Sequence, residues 1–403
     1  MVDRDRIERR LQGLWEIELG PGGGANRLAY SSAEAQAMRL VAAWAAEHGL
    51  DPGIDRFGNL WALPESWNGP LVTGGSHVDT VPDGGRYDGA LGTVLGLELA
   101  AALGNETTGG GARAAVMICA AEEAPRFGAG TVGSRQLVGT LTEEETTQLR
   151  DAEGISIAEA RREHLERLVD LPRVRPPLDR WRAHSEVHVA QRRELRDIGV
   201  VTTVASPRRL QITVTGESGH TGEVSMADRR DALTGAAEIV LAIERAARDE
   251  PPQTVATTGT LSVAPGAVSV IPATARLAID MRATDAGSLD RLEHQIRRAS
   301  ADICARRGLE IDTELTRAGN PVELDRGMVS AALAAAQRLP VSAHRTWSGG
   351  GHDPQHLNAL APSLLLFVPL HGGESHTPQE GASLDEIAHA AAIVEYVLRD
   401  LDA

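Results

Sequence analysis

Lysine is absent from this 403-residue chain, so every one of its 40 basic side chains other than histidine is arginine. That excludes a P-loop lysine, a Schiff-base lysine for pyridoxal phosphate and a Ser-Lys amidase centre. Cysteine is almost as scarce. Cys119 and Cys304 are the only two, which leaves neither a disulfide framework nor a cysteine metal cluster. Positive charge is never in excess: the net charge is −16 and the pI near 5.3, which argues against nucleic acid or an anionic membrane as partner. No apolar run approaches the ~18 residues of a membrane span. Residues 1–11 are charged where a secretory signal would be apolar. Together these absences lead us to expect a reduced, cytoplasmic enzyme.

The length favours two domains over one ordinary core. Apolar spacing after Ser31 and Ser32 predicts a helix over 32–49 that stops at Gly49. Gly58-Asn59 separates two strand-like runs, as in a hairpin. Brief apolar strands at 71–75 and 114–120 flank a Leu/Ala-rich helix at 92–103, the alternation of an α/β layer with a largely parallel sheet. Residues 142–170 read as helical and charged, followed by a Pro-rich link at 172–177, and Gly-rich 107–112 reads as a solvent loop. From 206 the pattern changes. Strands at 210–214, 256–263, 274–282 and 309–316 alternate with helices at 227–247 and 288–307, a β-α-β-β-α-β order matching the ferredoxin-like pattern. The expected organisation is a catalytic domain of residues 1–205 and 321–403, interrupted by a smaller α+β domain at 206–320.

The chemistry is concentrated in residues 74–92, where a strand runs into a Gly/Pro-rich turn carrying His77, Asp79 and Asp88. Imidazole and carboxylate are the ligands that borderline divalent ions prefer. A metal-bound imidazole donates its other N–H to a carboxylate or carbonyl, the part suited to Asp79. Asp88, with two oxygens, could bridge two ions. Alone, such a turn could equally hold a core histidine. Glu122 and Glu123 follow the apolar strand; adjacent carboxylates at a strand end point different ways, so we assign Glu122 as general base and Glu123 as a ligand. A solvated acidic pair is the plainer alternative. Similarly, His188 on an alternating strand, His376 in a loop and His220 among small residues each have an ordinary structural explanation when taken singly.

The order of these motifs resembles the M20 metallopeptidase superfamily, and within it the amidohydrolase branch of N-carbamoyl-L-amino-acid hydrolases, allantoate amidohydrolases and β-ureidopropionases. The likeness spans nearly the whole chain. It rests on His77-x-Asp79 with Asp88-Gly89, Glu122-Glu123, Gly133-Ser134-Arg135, Arg27-x-Ala29 and Phe57-Gly58-Asn59-Leu60. It continues through His220-x-Gly222, Met226-x-x-Arg229-Arg230-Asp231-Ala232, Val270-Ile271-Pro272 and Asp280-x-Arg282, and ends with Ser348-Gly349-Gly350-Gly351-His352-Asp353 and Ser375-His376-x-Pro378-x-Glu380.

The resemblance implies a binuclear centre, with zinc first among the ions and manganese, cobalt or nickel also acceptable to such ligands. One ion would be held by His77, Asp88 and His188, the other by Asp88, Glu123 and His376. It implies that the inserted domain serves as lid and homodimer contact, and that the substrate is a small amino-acid derivative. His220 would stabilise the oxyanion and Arg282 would grip the substrate carboxylate, although an ion pair with Asp280 is the rival explanation for Arg282. Gln191, Ser269, Gly350 and His352 would line the substrate.

The chain also departs from that branch. Where Ile-Glu-Gln-Gly-Pro is usual after the strand histidine, it reads Val189-Ala190-Gln191-Arg192-Arg193, and Ser269 stands where asparagine is usual. No proposed ligand or base is lost, but part of the substrate shell is. The leading expectation is hydrolysis of a non-peptide C–N bond in an N-carbamoyl or related ureido or N-acyl amino acid. An aminoacylase or dipeptidase of the same fold, and a metal-bound but weakly active binding or regulatory homologue, are the alternatives.

Overall fold

A computed structural model describes residues 2–192 and 194–401; Arg193 of the divergent run lies outside them. The chain divides into two compact units, Met1–Thr202 with Glu323–Ala403, and Thr203–Val322. In chain order the strands are β1 (Leu50–Ile54), β2 (Leu60–Pro64), β3 (Leu71–Gly74), β4 (Arg113–Ile118), β5 (Trp181–Val189), β6 (Ile198–Val204), β7 (Arg208–Thr215), β8 (Val255–Ala264), β9 (Thr274–Arg282), β10 (Glu310–Ala318), β11 (Val322–Glu323), β12 (Ala343–Ser348), β13 (Ser363–Val368), β14 (His371–Gly372) and β15 (Glu380–Gly381).

The large sheet has the order β1-β2-β4-β3-β5-β13-β6-β11, with β12 also paired to β6. It is mixed α/β in character. Its centre, β4-β3-β5-β13, is parallel, while β1, β2 and β6 pair antiparallel on the flanks. The expectation of a largely parallel sheet therefore holds at the centre and fails at the flanks. At the β1–β2 edge the connection length explains why. β1 and β2 are joined by a tight turn in which the Asp55 carboxylate accepts the amides of Phe57 and Asn59, and only antiparallel neighbours can be joined so briefly.

The helix Ala90–Leu103 is buried along nearly its whole length and lies unusually close to the sheet. A Cβ on Gly96 would stand 2.6 Å from the Gly74 carbonyl oxygen, and one on Gly92 would stand 2.5 Å from that of Val187. The approach brings the start of this helix beside the carboxyl ends of β3 and β5, where open α/β sheets place their ligands.

Local capping sets the helix boundaries and corrects one expectation. The charged stretch 142–170 forms two helices, Glu143–Gln148 and Ile157–Arg167, each opened by a capping box, Thr142 with Glu145 and Ser156 with Glu159. The second unit's first helix begins at Ala232, not 227, because Asp231 accepts the amides of Leu233 and Thr234 and fixes the start there. Gly-rich 107–112 is tied down as well as solvent-facing, since the Gly109 amide donates to the Arg399 carbonyl.

The second unit is a four-stranded antiparallel sheet, β10-β7-β9-β8, with the helices Ala232–Arg248 and Ala286–Arg307. Its core joins Leu210, Ile212 and Leu277 to Ile239, Leu292 and Ile296. No helix among the described residues is long and apolar enough to cross a membrane.

Two buried histidines remote from the chemistry make stability depend on pH. His184 Nδ1 lies 2.9 Å from Thr73 Oγ1, and burial pushes its imidazole down to about 3. Burial, with Arg167 adding, likewise brings His164 to about 3. Each folded value lies below the unfolded value near 6.5. Their contribution is therefore complete above about pH 6.5 and is lost progressively as the pH falls toward about 3. Between pH 6.5 and 5 the parent chain should lose more stability than a His184→Gln variant, with a slope difference rising toward about 1.4 kcal/mol per pH unit. Parallel urea titrations would measure this, and identical slopes would remove His184 from the account.

Candidate active site

Past β3 the chain makes a turn that only glycine accommodates at Gly75, where a Cβ would strike the Met117 carbonyl. His77 then bridges to Cys119 beside β4. Its ring is buried, with Nδ1 3.0 Å from the Asp79 carbonyl oxygen, which leaves Nε2 facing inward as the free donor atom. Nε2 lies 3.4 Å from Asp88 Oδ1 and 3.9 Å from Glu122 Oε2.

Asp88 occupies the middle of the site. Its Oδ1 faces His77 and His188 Nε2, the latter at 3.2 Å, while its Oδ2 faces His376 Nε2 at 3.3 Å. Two backbone bonds aim it, since the Tyr87 and Asp88 amides both donate to Glu380 Oε2, at 2.8 and 3.0 Å. The next residue must be glycine: Gly89 has φ +63°, and a Cβ there would collide with the His77 ring.

Glu122 and Glu123 sit on a fully bonded backbone. The Ala120 amide donates to Asn59 Oδ1 at 2.9 Å, Ala121 to Glu34 Oε1 at 2.8 Å, Glu122 to Asp79 Oδ1 at 3.0 Å and Glu123 to Asp79 Oδ2 at 2.9 Å. Asp79 thus serves two neighbours. Its carbonyl, not its carboxylate, is within hydrogen-bond reach of His77, and the carboxylate holds the paired glutamates instead; the His77 Nδ1 to Asp79 Oδ1 distance is 3.5 Å.

At the end of β5, His188 directs Nδ1 to the Val189 carbonyl at 2.8 Å and Nε2 to Asp88. The His352 ring packs edge-on against it, 4.7 Å between centroids. Gln191 lies against Gly350, where a Cβ would meet its Oε1. The structure therefore brings Gln191, Gly350 and His352 to the His188 side of the cluster. Arg192 stacks over the Trp347 ring at 4.1 Å and donates to Thr346 Oγ1 and the Trp347 carbonyl. His376, at φ +63°, completes the group from a loop, with Nε2 3.5 Å from Glu123 Oε1.

Two three-residue sets result, His77–Asp88–His188 and Asp88–Glu123–His376, with the donor atoms of each set within 4.8 Å of one another. A third set, Glu186–His188–His352, shares His188. The electrostatics are those of a carboxylate cluster holding protons on its imidazoles. Against the opposing effect of burial, Asp88 raises His188 to about 9, and a hydrogen bond to Asp88 raises His376 to about 9. Burial, with Asp88 adding, lifts Glu123 to about 7, and burial lifts Glu122 well above the usual carboxylate range.

His220, Ser269 and Arg282 belong to the second unit. His220 bridges to Val270, and its Nδ1 accepts the Gly222 amide at 3.1 Å. The Ser269 carbonyl accepts from Thr221, and Arg282 Nε donates to Asp280 Oδ1 at 2.9 Å. Sequence reasoning had missed the parts played by Glu34 and Glu380. Glu380 lay within a recognised motif, four residues after His376; Glu34 carried only the ordinary signal of an acidic residue in a helix's first turn.

The profile of Peptidase family M20/M25/M40 matches residues 74–400. The chain is 32% identical to an N-carbamoyl-L-amino acid amidohydrolase of Geobacillus stearothermophilus, over 100% of this chain and 99% of that one. It is 31% identical to the allantoate amidohydrolase of Bacillus subtilis, over 95% and 94%. Among solved structures, an amidase of the hydantoinase/carbamoylase family from Burkholderia multivorans superposes with a TM-score of 0.84 at 32% identity, covering 100% of this chain and 99% of that one. The chain belongs to the M20/M25/M40 family and is a hydrolase of its amidohydrolase branch.

Proposed function

We propose that this chain is a binuclear metal-dependent amidohydrolase that cleaves the non-peptide C–N bond of an N-carbamoyl, or related ureido or N-acyl, amino acid. The observation that carries the proposal is Asp88, whose two oxygens face two different donor sets. The donors fit a pair of borderline divalent ions: imidazole nitrogens whose other ring nitrogens face backbone carbonyls at His77 and His188, and carboxylates on both sides. His77, Asp88 and His188 would hold one ion, and Asp88, Glu123 and His376 the other, with zinc first and manganese, cobalt or nickel also compatible. Bound there, such a pair polarises the scissile carbonyl and makes the attacking water more acidic.

Glu122 does the proton work. Its burial favours the protonated form, so a proton taken from water can be held and passed to the leaving nitrogen. Asp79 keeps it in place through the backbone. His220 serves the oxyanion, Arg282 the substrate carboxylate, and Gln191, Ser269, Gly350 and His352 the remaining substrate contacts. A homodimer formed through the second unit and a cytoplasmic location complete the reading.

An aminoacylase or dipeptidase activity is the second reading, favoured by Ala190, Arg192 and Ser269. The stacked Arg192 fills space that a glycine would leave open. A metal-reconstituted screen that detects ammonia and free amine together separates the two. Ammonia with carbon dioxide supports the first reading with a carbamoyl or ureido substrate, a released carboxylic acid moves the substrate to an N-acyl or peptide amide and favours the second, and no turnover on any carbamoyl, formyl or acetyl amino acid overturns both.

Metal uptake should expel protons, because ligating imidazoles must be neutral and His188 and His376 are raised to about 9. Because His77 is raised as well, titration calorimetry at pH 7.5 in buffers of different ionisation enthalpy should register a net release of protons, with affinity weakening as the pH falls. Heats that do not depend on the buffer would contradict this.

A further inference from the structure

We infer that Glu34 is a positioning residue for Glu122, acting through the backbone of Ala121; this rests on the reading of Glu122 as the general base. Ala121 is buried and has φ +55°, a conformation disfavoured for any residue with a Cβ. Such strain persists only where the surroundings over-determine it, and here they do. The Ala121 amide donates to Glu34 Oε1 at 2.8 Å, and its carbonyl accepts the Val132 amide at 2.9 Å. On either side, the carbonyls of Ala120 and Glu122 accept the amides of Gly133 and Thr131.

Of the side chains that hold this segment, Glu34 alone grips the left-handed residue itself. It is fully buried in the first turn of the helix Ser32–Glu47, whose N-cap is Ser31. Its other oxygen accepts the Tyr30 amide, so the carboxylate is anchored at the helix start and reaches across to the strand end. The reversal at Ala121 sets the direction in which the next residue leaves the strand, and so sends the Glu122 carboxylate toward His77. If Ala121 relaxed to an ordinary conformation, Glu122 would swing while Asp79 still held the two following amides.

The test uses the metal-loaded full chain. Glu34→Met keeps side-chain length and helix preference and removes both acceptors; Glu34→Ala is the second variant should methionine impair folding. Either should lower kcat about 100-fold, the size expected when a catalytic group is displaced by roughly 1 Å, with KM and the metal-to-protein ratio unchanged. Ala121→Gly, added to either, should restore kcat roughly ten-fold, because glycine adopts the left-handed conformation without a partner to enforce it. A structural role for Glu34 alone would lower the melting temperature and would not respond to glycine at 121. Parent-like kcat in a folded, loaded Glu34 variant overturns the inference, as does a loss that Ala121→Gly leaves unchanged. An inactive Glu122→Gln beside a fully active Glu34→Met ends only this inference, whereas an active Glu122→Gln ends the reading on which it rests.

Discussion

Glu122→Gln should lower kcat by about 10²–10⁴-fold, the range expected for losing a general acid–base group, while the bound metal stays at the parent level. The geometry makes these outcomes separable. Glu122 belongs to neither of the two donor sets that share Asp88, and its backbone is held by Asp79 whatever its side chain. Glutamine fills the same space but cannot take a proton from water. Turnover is measured beside the metal content by elemental analysis. Parent-level kcat in a fully loaded variant removes Glu122 from the mechanism. A fall in metal content would instead make it a ligand.

Asp88→Ala has the opposite signature. Three imidazole Nε2 atoms converge on its two oxygens, and both proposed ion positions use it. Removing it should weaken metal binding by more than the ~10–100-fold typical of changes one shell farther out, and should abolish turnover. The fold should survive, because the bonds to Glu380 come from the Tyr87 and Asp88 amides, which alanine retains. Elemental analysis after dialysis against trace metal would read the result. A variant that still held two ions per chain would refute the bridging role.

The residues that converge were legible in the sequence because each sits in a run with its own local logic: a strand entering a Gly-rich turn at His77, a strand end at Glu122, an alternating strand at His188. Their supports were not. The bonds from Tyr87 and Asp88 to Glu380, and from Ala121 to Glu34, join segments far apart in the chain, and no spacing rule announces them. Asp79 illustrates the limit within a single motif. That it would support His77 was readable, but which of its oxygens did so depended on where Glu122 and Glu123 came to lie. The early start expected for the second unit's first helix differs in kind, because Asp231 is a recognisable start signal that apolar spacing overrides. The parallel centre of the sheet followed from alternating strands and helices; of the antiparallel pairs only β1–β2 is set by a turn too short for a crossover, whereas β2–β4 and β6–β13 join strands distant in the chain.

Gly92 and Gly96 hold a helix against the sheet at a distance no other residue allows, and that closeness bears on how such a protein can diversify. Substitution there would shift the start of the helix, and with it the aspartate that both proposed ion positions share. Drift in this region meets selection at once. Arg192, in the run after His188, settles against Trp347 instead and leaves the donor geometry alone. Evolution can then rewrite what is bound without re-inventing how it is cut, and the history of this chain's specificity should be sought in its loops.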